Sequence, residues 1–313
     1  MLLRDADVVI AGSAPEQLVR QCVKRGQLVL RYYERPLKNG AEPLKYLPRL
    51  IRWHWRNPSR KPIYLLCASA YAAEDFAKFG LFKGKGYRWG YFPEMITYDN
   101  PDTVIENKKT NSLLWAGRFL EWKHPDDALE VARRLKDAGY QFMLTLIGMG
   151  EMEPKLQAMI RDYGLEECVS LLGAMKPECV RRYMEQSEVF LFTSDRREGW
   201  GTVANEAMNS GCAIVADGAI GSVPFLIQNG KNGLVYPSGD VDALYDCVKT
   251  LLDDREQVLR LGYEAYQTII TQWNADVAAE RLLHLINHIL NSSDMLSDYS
   301  DGPCSAVETW KTK

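Results

Sequence analysis

Short apolar runs alternate with amphipathic stretches along almost the whole chain, the pattern of strands and helices laid down in turn as parallel α/β layers. From residue 112 onward the runs Ser112–Ala116, Phe142–Gly148, Val169–Leu172, Val189–Thr193, Ala213–Ala216 and Gly233–Tyr236 read as strands. Between them, 125–138 opens with Pro125 and closes at Gly139, and 177–186 opens with Pro177, which are helix boundary residues. Six strands with crossovers make a doubly wound domain, placed at 109–275. Residues 1–108 offer four strands, Val8–Ala11, Leu28–Tyr33, Tyr64–Cys67 and Tyr87–Tyr91, and the first has no glycine-rich βα unit ahead of it. At roughly 30 residues per βα repeat, this first domain is expected to be incomplete by two or three repeats. The polar stretch Asn100–Asn111, with Pro101 and a lysine pair, reads as the linker. Residues 276–291 form an amphipathic helix with Ala278, Leu282, Leu285 and Ile289 on one face, and 292–313 is expected to be a flexible tail.

Composition adds compartment and charge. With 46% hydrophobic and 25% charged residues the chain is core-forming. Seven scattered cysteines, an odd number without a C-x-x-C pair, point to buried free thiols in a reducing compartment. Arg4, Asp5 and Asp7 stand where a signal peptide would be apolar, and no run is long enough to span a bilayer. A cytoplasmic protein is expected. Residues 1–61 hold 13 Lys/Arg against 5 Asp/Glu, whereas the remainder holds 25 against 36. The basic front is expected to face an anionic surface or substrate.

Part of that basicity lies in Pro48–Lys61. Lys45, Arg49, Arg52 and Arg56 recur at helical spacing, with Leu47, Ile51 and Trp55 on another face and Trp53 near the boundary. Such a helix suits an anionic membrane surface. The alternative is a crossover helix packing its apolar side on the first sheet with its arginines solvated, and its position between two strands favours that reading.

The most informative segment follows the strand Val189–Thr193. It runs Ser194-Asp-Arg-Arg-Glu198-Gly199-Trp200-Gly201-Thr202-Val-Ala-Asn-Glu206-Ala-Met-Asn-Ser-Gly211. A strand, a glycine-bearing turn and a helix N-terminus lie there at the carboxyl edge of a parallel sheet, where ligands bind. Gly199 and Gly201 allow close backbone approach, and the first helical turn favours an anion. Carboxylates repel phosphate, so Glu198 and Glu206 suit sugar hydroxyls: Glu206 a ribose diol, Glu198 a transferred sugar and the positive charge developing at its anomeric carbon.

Glu198 and Glu206 resemble the E-x7-E motif of retaining GT-B glycosyltransferases, family 4, with the glycosyl transferases group 1 domain. Trp115-Ala-Gly117-Arg118 with Lys123, Ile147-Gly148-Met-Gly150, Leu172-Gly173 and Gly230-Lys-Asn-Gly233-Leu-Val-Tyr-Pro follow in that family's order, and the resemblance covers about 62–291. It implies two Rossmann-like domains, the second binding the donor, and a C-terminal helix crossing back to the first. It implies that Arg118 and Lys123 bind the donor diphosphate without a metal, a role their charges suit. Glu206 would bind the ribose and Glu198, as catalytic residue, the sugar. The backbone of Gly199, Trp200, Gly201 and Thr202 would meet sugar and phosphate oxygens, with Gly173 and Met175 beside the base. Retention would follow from front-side attack.

The implied substrates are a UDP- or GDP-linked sugar and a carbohydrate or lipid-linked acceptor in surface polysaccharide synthesis. No cofactor and no nucleic acid are expected, and a peripheral membrane contact is left open. Gly221-Ser-Val-Pro224-Phe225 departs from the family's Gly-Gly-x-x-Glu, and Trp89-Gly90-Tyr-Phe-Pro93 from its Asn-Gly turn. The alternative class is a truncated, non-catalytic nucleotide-sugar-binding protein. Other chemistries find less support. Gly148-Met-Gly150 resembles a dinucleotide fingerprint, but Glu153 stands where glycine or alanine is needed. Asp240-Val-Asp242 and Asp5-Ala-Asp7 read as a helix cap and a strand lead-in rather than metal sites, and the four histidines form no metal-binding or triad pattern.

Overall fold

The computed structural model describes residues 5–40, 43–291 and 299–307. The chain divides into two compact units, Met1–Tyr91 with Ala275–Lys313, and Phe92–Asn274. Each is an α/β unit built on a parallel sheet.

In the first unit, β1 (Val8–Ala11), β2 (Leu28–Tyr33), β3 (Ile63–Cys67) and β4 (Gly86–Arg88) lie in chain order and pair in parallel. Val9, Ala11 and Val29 pack with Val19, Cys22 and Val23 of the helix Glu16–Arg25 to close one side. Arg31, buried in β2, donates to Glu16 at 2.8 Å and to the Arg56 carbonyl at 3.0 Å, which satisfies a charge that could not otherwise stay inside. The C-terminal helix, Ala275–Asn291, groups with this unit and buries Ala278, Leu282 and Leu285.

Residues 299–307 lie within the stretch expected to be a flexible tail, yet they are held against β4. Ala306 bridges Tyr87 in antiparallel sense, Arg88 N–H donates to the Ser305 carbonyl at 2.8 Å, and Val307 N–H donates to the Gly86 carbonyl at 3.0 Å. The reason is that β4 is an edge strand with backbone groups that need partners. The rest of that stretch, 292–298 and 308–313, lies outside the described residues.

In the second unit, β5 (Lys109–Ala116), β6 (Met143–Ile147), β7 (Val169–Leu171), β8 (Ser187–Phe192), β9 (Ala213–Asp217) and β10 (Leu234–Tyr236) match the six expected strands. Their order is β10-β9-β8-β5-β6-β7, all parallel. Between β5 and β8 the winding reverses, which opens a crevice at the carboxyl ends. The boundary falls at Tyr91/Phe92, ahead of the polar stretch read as a linker. Asn100 there caps the helix Pro101–Glu106 through Thr103 N–H at 3.2 Å. Upstream, Asn209 clasps Ile96 through both amide atoms at 2.8 and 2.9 Å, and Tyr266 receives Tyr98 N–H at 3.0 Å. Those contacts bind 92–111 into the second unit.

Candidate functional site at the β5–β8 switch point

Two loops meet at this crevice, 117–124 after β5 and 193–202 after β8. Thr193 joins them. Its hydroxyl accepts from Trp115 Nε1 at 2.9 Å and lies 2.7 and 2.9 Å from the carbonyls of Lys123 and His124. Asp195 N–H donates to the Trp122 carbonyl at 2.9 Å. The lower side of the first loop is sewn to the exit of β6 by backbone alone: Gly117 N–H to Ile147 O at 3.0 Å, Phe119 N–H to Met149 O at 2.8 Å, and Met152 N–H to Phe119 O at 3.1 Å. A Cβ at Gly148 would collide with the Gly117 carbonyl oxygen, and one at Gly150 with that of Phe119. The Gly148-Met-Gly150 sequence therefore serves backbone packing that holds the Arg118 loop.

On this scaffold Lys123 and Glu198 form an ion pair, their side chains 13% and 12% exposed. Ser194 Oγ lies 3.3 Å from the same Glu198 oxygen. The Lys123 ammonium also sits 4.7 Å from the Trp122 ring centre. Arg118, one strand-end away, is exposed and shows no side-chain partner among the described residues. Gly201, at φ 80, faces both Phe192 and Glu198 so closely that a Cβ would strike the Phe192 ring. Glycine is what lets the turn fold over the end of β8.

Gly199 is buried, Gly201 half-buried and Thr202 exposed. The Trp200 side chain is only 1% exposed. Its indole donates to Asn205 Oδ1 at 2.9 Å and packs against Phe225 and Trp273, with ring centres 6.4 and 5.8 Å away. Only the backbone of Trp200 is left to meet a ligand. The departing Gly221-Ser-Val-Pro-Phe segment supports this turn from below: Gly221 N–H donates to the Glu198 carbonyl at 3.1 Å, and Ser222 Oγ to the Trp200 carbonyl at 2.5 Å.

Glu206 lies in the helix Val203–Asn209 and faces a cleft of about 300 Å³ with Glu94, Ile96, Pro177, Arg181 and Met184. Burial raises its carboxyl above the usual value, and the Arg181 guanidinium partly opposes that. Arg181 is itself fixed, donating to Asn209 Oδ1 at 3.1 Å and to the Glu94 carbonyl at 3.1 Å. Gly173 follows β7 and accepts Gly148 N–H at 2.9 Å, and Met175 is half-buried just before the helix Pro177–Gln186. Three contributors were missed in the sequence. Thr193 reads as the end of a strand and Ser194 as an ordinary loop hydroxyl, and Arg181 stands in a mixed polar helix without a motif.

His124, Asp126 and Asp127 bring potential ligand atoms within 4.8 Å of one another, the one such group among the described residues. Asp126 is already paired with Lys155 at 2.8 Å, and burial pushes Asp127 up to about 6. One of the three groups is thus already paired with an ammonium.

The chain matches the family described as glycosyl transferases group 1 over residues 99–268. It is 30% identical over 207 residues to the amylovoran biosynthesis glycosyltransferase AmsK of Erwinia amylovora, covering 64% of this chain and 50% of that protein. It is 29% identical over 161 residues to the GDP-mannose-dependent alpha-(1-6)-phosphatidylinositol monomannoside mannosyltransferase of Mycobacterium tuberculosis, covering 50% and 41%. The chain thus spans about half the length of the curated relatives it matches. Among solved structures it resembles Anabaena Alr3699/HepE in complex with UDP, with a TM-score of 0.72, 15% identity and coverage of 91% and 80%. It also resembles sucrose-phosphate synthase from Thermosynechococcus elongatus, with a TM-score of 0.66, 17% identity and coverage of 91% and 74%. At such identities the likeness speaks for the fold, α/β of the GT-B class with Rossmann-like units.

Proposed function

The chain belongs to the glycosyl transferases group 1 family, and on that premise we propose that it is a retaining glycosyltransferase using a nucleoside diphosphate sugar. The observation that carries this reading is the meeting of Lys123 and Glu198 at the switch point, with Arg118 exposed alongside and Glu206 on the neighbouring cleft. Arg118 and Lys123 hold the diphosphate in place of a metal ion, which the high charge density of two cations makes workable. Glu206 accepts the ribose hydroxyls. The backbone from Gly199 to Thr202 meets sugar and phosphate oxygens, and Gly173 and Met175 flank the base.

When the diphosphate arrives, it competes with Glu198 for the Lys123 ammonium. The carboxylate is released towards the sugar. There it stabilises positive charge as the bond from anomeric carbon to phosphate oxygen breaks. The acceptor hydroxyl forms the new bond on the same face, and its proton passes to the departing phosphate oxygen, so configuration is kept and the nucleoside diphosphate leaves. The AmsK and mannosyltransferase likenesses favour a carbohydrate or lipid-linked acceptor in polysaccharide or glycolipid synthesis.

The test separates the two carboxylates. Calorimetry with free nucleoside diphosphate should show weakened binding for Glu206→Gln and undiminished binding for Glu198→Gln. Donor turnover by Glu198→Gln should fall through kcat, since the lost interaction is stronger in the transition state. Equal losses of nucleotide binding would refute this division of roles. Nucleotide-sugar binding by the native chain without any turnover would favour the binding-protein alternative.

A further inference from the structure

The helix Pro43–Arg56 connects β2 to β3, and a crossover helix ordinarily buries its apolar stripe against the sheet. Here the seat is made by other residues. Trp53 packs edge-on against Tyr33 and Phe76, with ring centres 5.3 and 5.0 Å away. Tyr46 stacks on Phe79 at 5.3 Å and donates to the Lys78 carbonyl at 2.6 Å. Arg56 reaches Glu16 at 3.5 Å. Leu47, Ile51 and Trp55 recur every four residues along the opposite line, and they are 62%, 62% and 52% exposed. Pro48 is exposed beside them. Scattered exposed apolar residues are ordinary, but an aligned row on one helix marks an interaction face.

Cations border that row. The Arg20 guanidinium lies 3.6 Å from the Trp55 ring centre, and Arg52 and Arg60 are exposed. The side chain of Lys45, expected on the basic face, lies outside the described residues. The first 61 residues carry 13 basic against 5 acidic groups, so the field around the row is positive. An apolar line with a tryptophan, edged by arginine, matches one partner chemistry: an anionic bilayer surface, which offers acyl chains at one depth and phosphate at the next.

We propose that the helix Pro43–Arg56 lies in the plane of an anionic membrane interface, with Leu47, Ile51 and Trp55 in the acyl boundary and Arg20 and Arg52 among the headgroups. This inference rests on the first unit alone and stands apart from the sugar-transfer reading.

The full chain is floated with vesicles of phosphatidylcholine, with and without phosphatidylglycerol. It should travel with the anionic vesicles only, and the triple variant L47S/I51S/W55S should partition at least about ten-fold less. R20E/R52E should lose binding as well, because it removes the electrostatic part. All three substituted apolar residues are exposed, so thermal melting should be unchanged, and nucleoside diphosphate calorimetry on the same samples reads the donor site separately. Absence of the native chain from anionic vesicles, or equal partitioning of the triple variant, would overturn the proposal. So would sedimentation showing a native dimer that the triple variant dissolves while neither binds vesicles, since the face would then join two copies of the chain.

Discussion

At the scale of residues, the pair Lys123–Glu198 decides what single substitutions will do. Glu198 is mostly buried and its charge is balanced by Lys123. In the proposed binding mode Lys123→Ala therefore removes a phosphate contact and also leaves a carboxylate facing the diphosphate. Arg118→Ala removes only a contact. A charge-assisted hydrogen bond contributes about 1.5–3 kcal/mol, roughly ten-fold or more in affinity, so both variants should weaken nucleoside diphosphate binding, Lys123→Ala the more. Adding Glu198→Gln to Lys123→Ala should restore part of the loss. Calorimetry in the presence of a chelator checks the set, and the native affinity should survive it. An additive double variant would contradict the competition between Glu198 and phosphate.

Glu206 supplies a pH dependence whose sign follows from its surroundings. Burial raises its carboxyl, so the ionised form proposed to accept the ribose hydroxyls is lost at a higher pH than for an exposed glutamate. Nucleotide affinity should fall as pH drops through that raised value, and Glu206→Gln should flatten this limb of the profile. Stability runs the other way. A carboxyl with a raised folded value costs stability above that value and is relieved as pH falls.

At the scale of elements, the loops depend on backbone contact that admits no side chain. Gly148 leaves β6 at φ 154, with the Gly117 carbonyl where a Cβ would stand. Gly148→Ala must push the 117–124 loop outward. Overpacking of this kind typically costs about 1–3 kcal/mol, so the melting temperature should drop and nucleotide binding should weaken although no ligand-facing group has changed. Unaltered melting and binding would mean that the loop is not held as described. The glycine-bearing turn after β8 is legible in sequence because turn chemistry is local, whereas the E-x7-E pairing of Glu198 with Glu206 is carried by the family resemblance. The burial of Trp200 is not. Beside two glycines it reads as part of a ligand loop, yet Asn205, Phe225 and Trp273 draw it into the core.

At the scale of the whole molecule, charge is divided along the chain rather than cancelled within each part. The basic excess lies in the unit that carries the exposed helix, and the acidic remainder includes the unit that carries the candidate donor site. That division gives each unit its own readout, vesicle flotation for the first and nucleotide calorimetry for the second. Among the described residues no helix is long and apolar enough to cross a membrane.

The sequence by itself determined the succession of ten strands along the chain, the parallel α/β class and the position of the glycine-bearing turn after β8. These follow from alternation, helix boundaries and turn residues, all encoded within a few neighbours. Tertiary structure alone decided which distant groups meet. It brought Lys123 to Glu198 and Arg181 to Glu206, drew 299–307 onto the edge of β4, and turned Leu47, Ile51 and Trp55 outward. Local pattern states that a helix has two faces. Which face is covered depends on what the rest of the chain packs against it, and here Tyr33, Phe76 and Phe79 took the side of Tyr46 and Trp53.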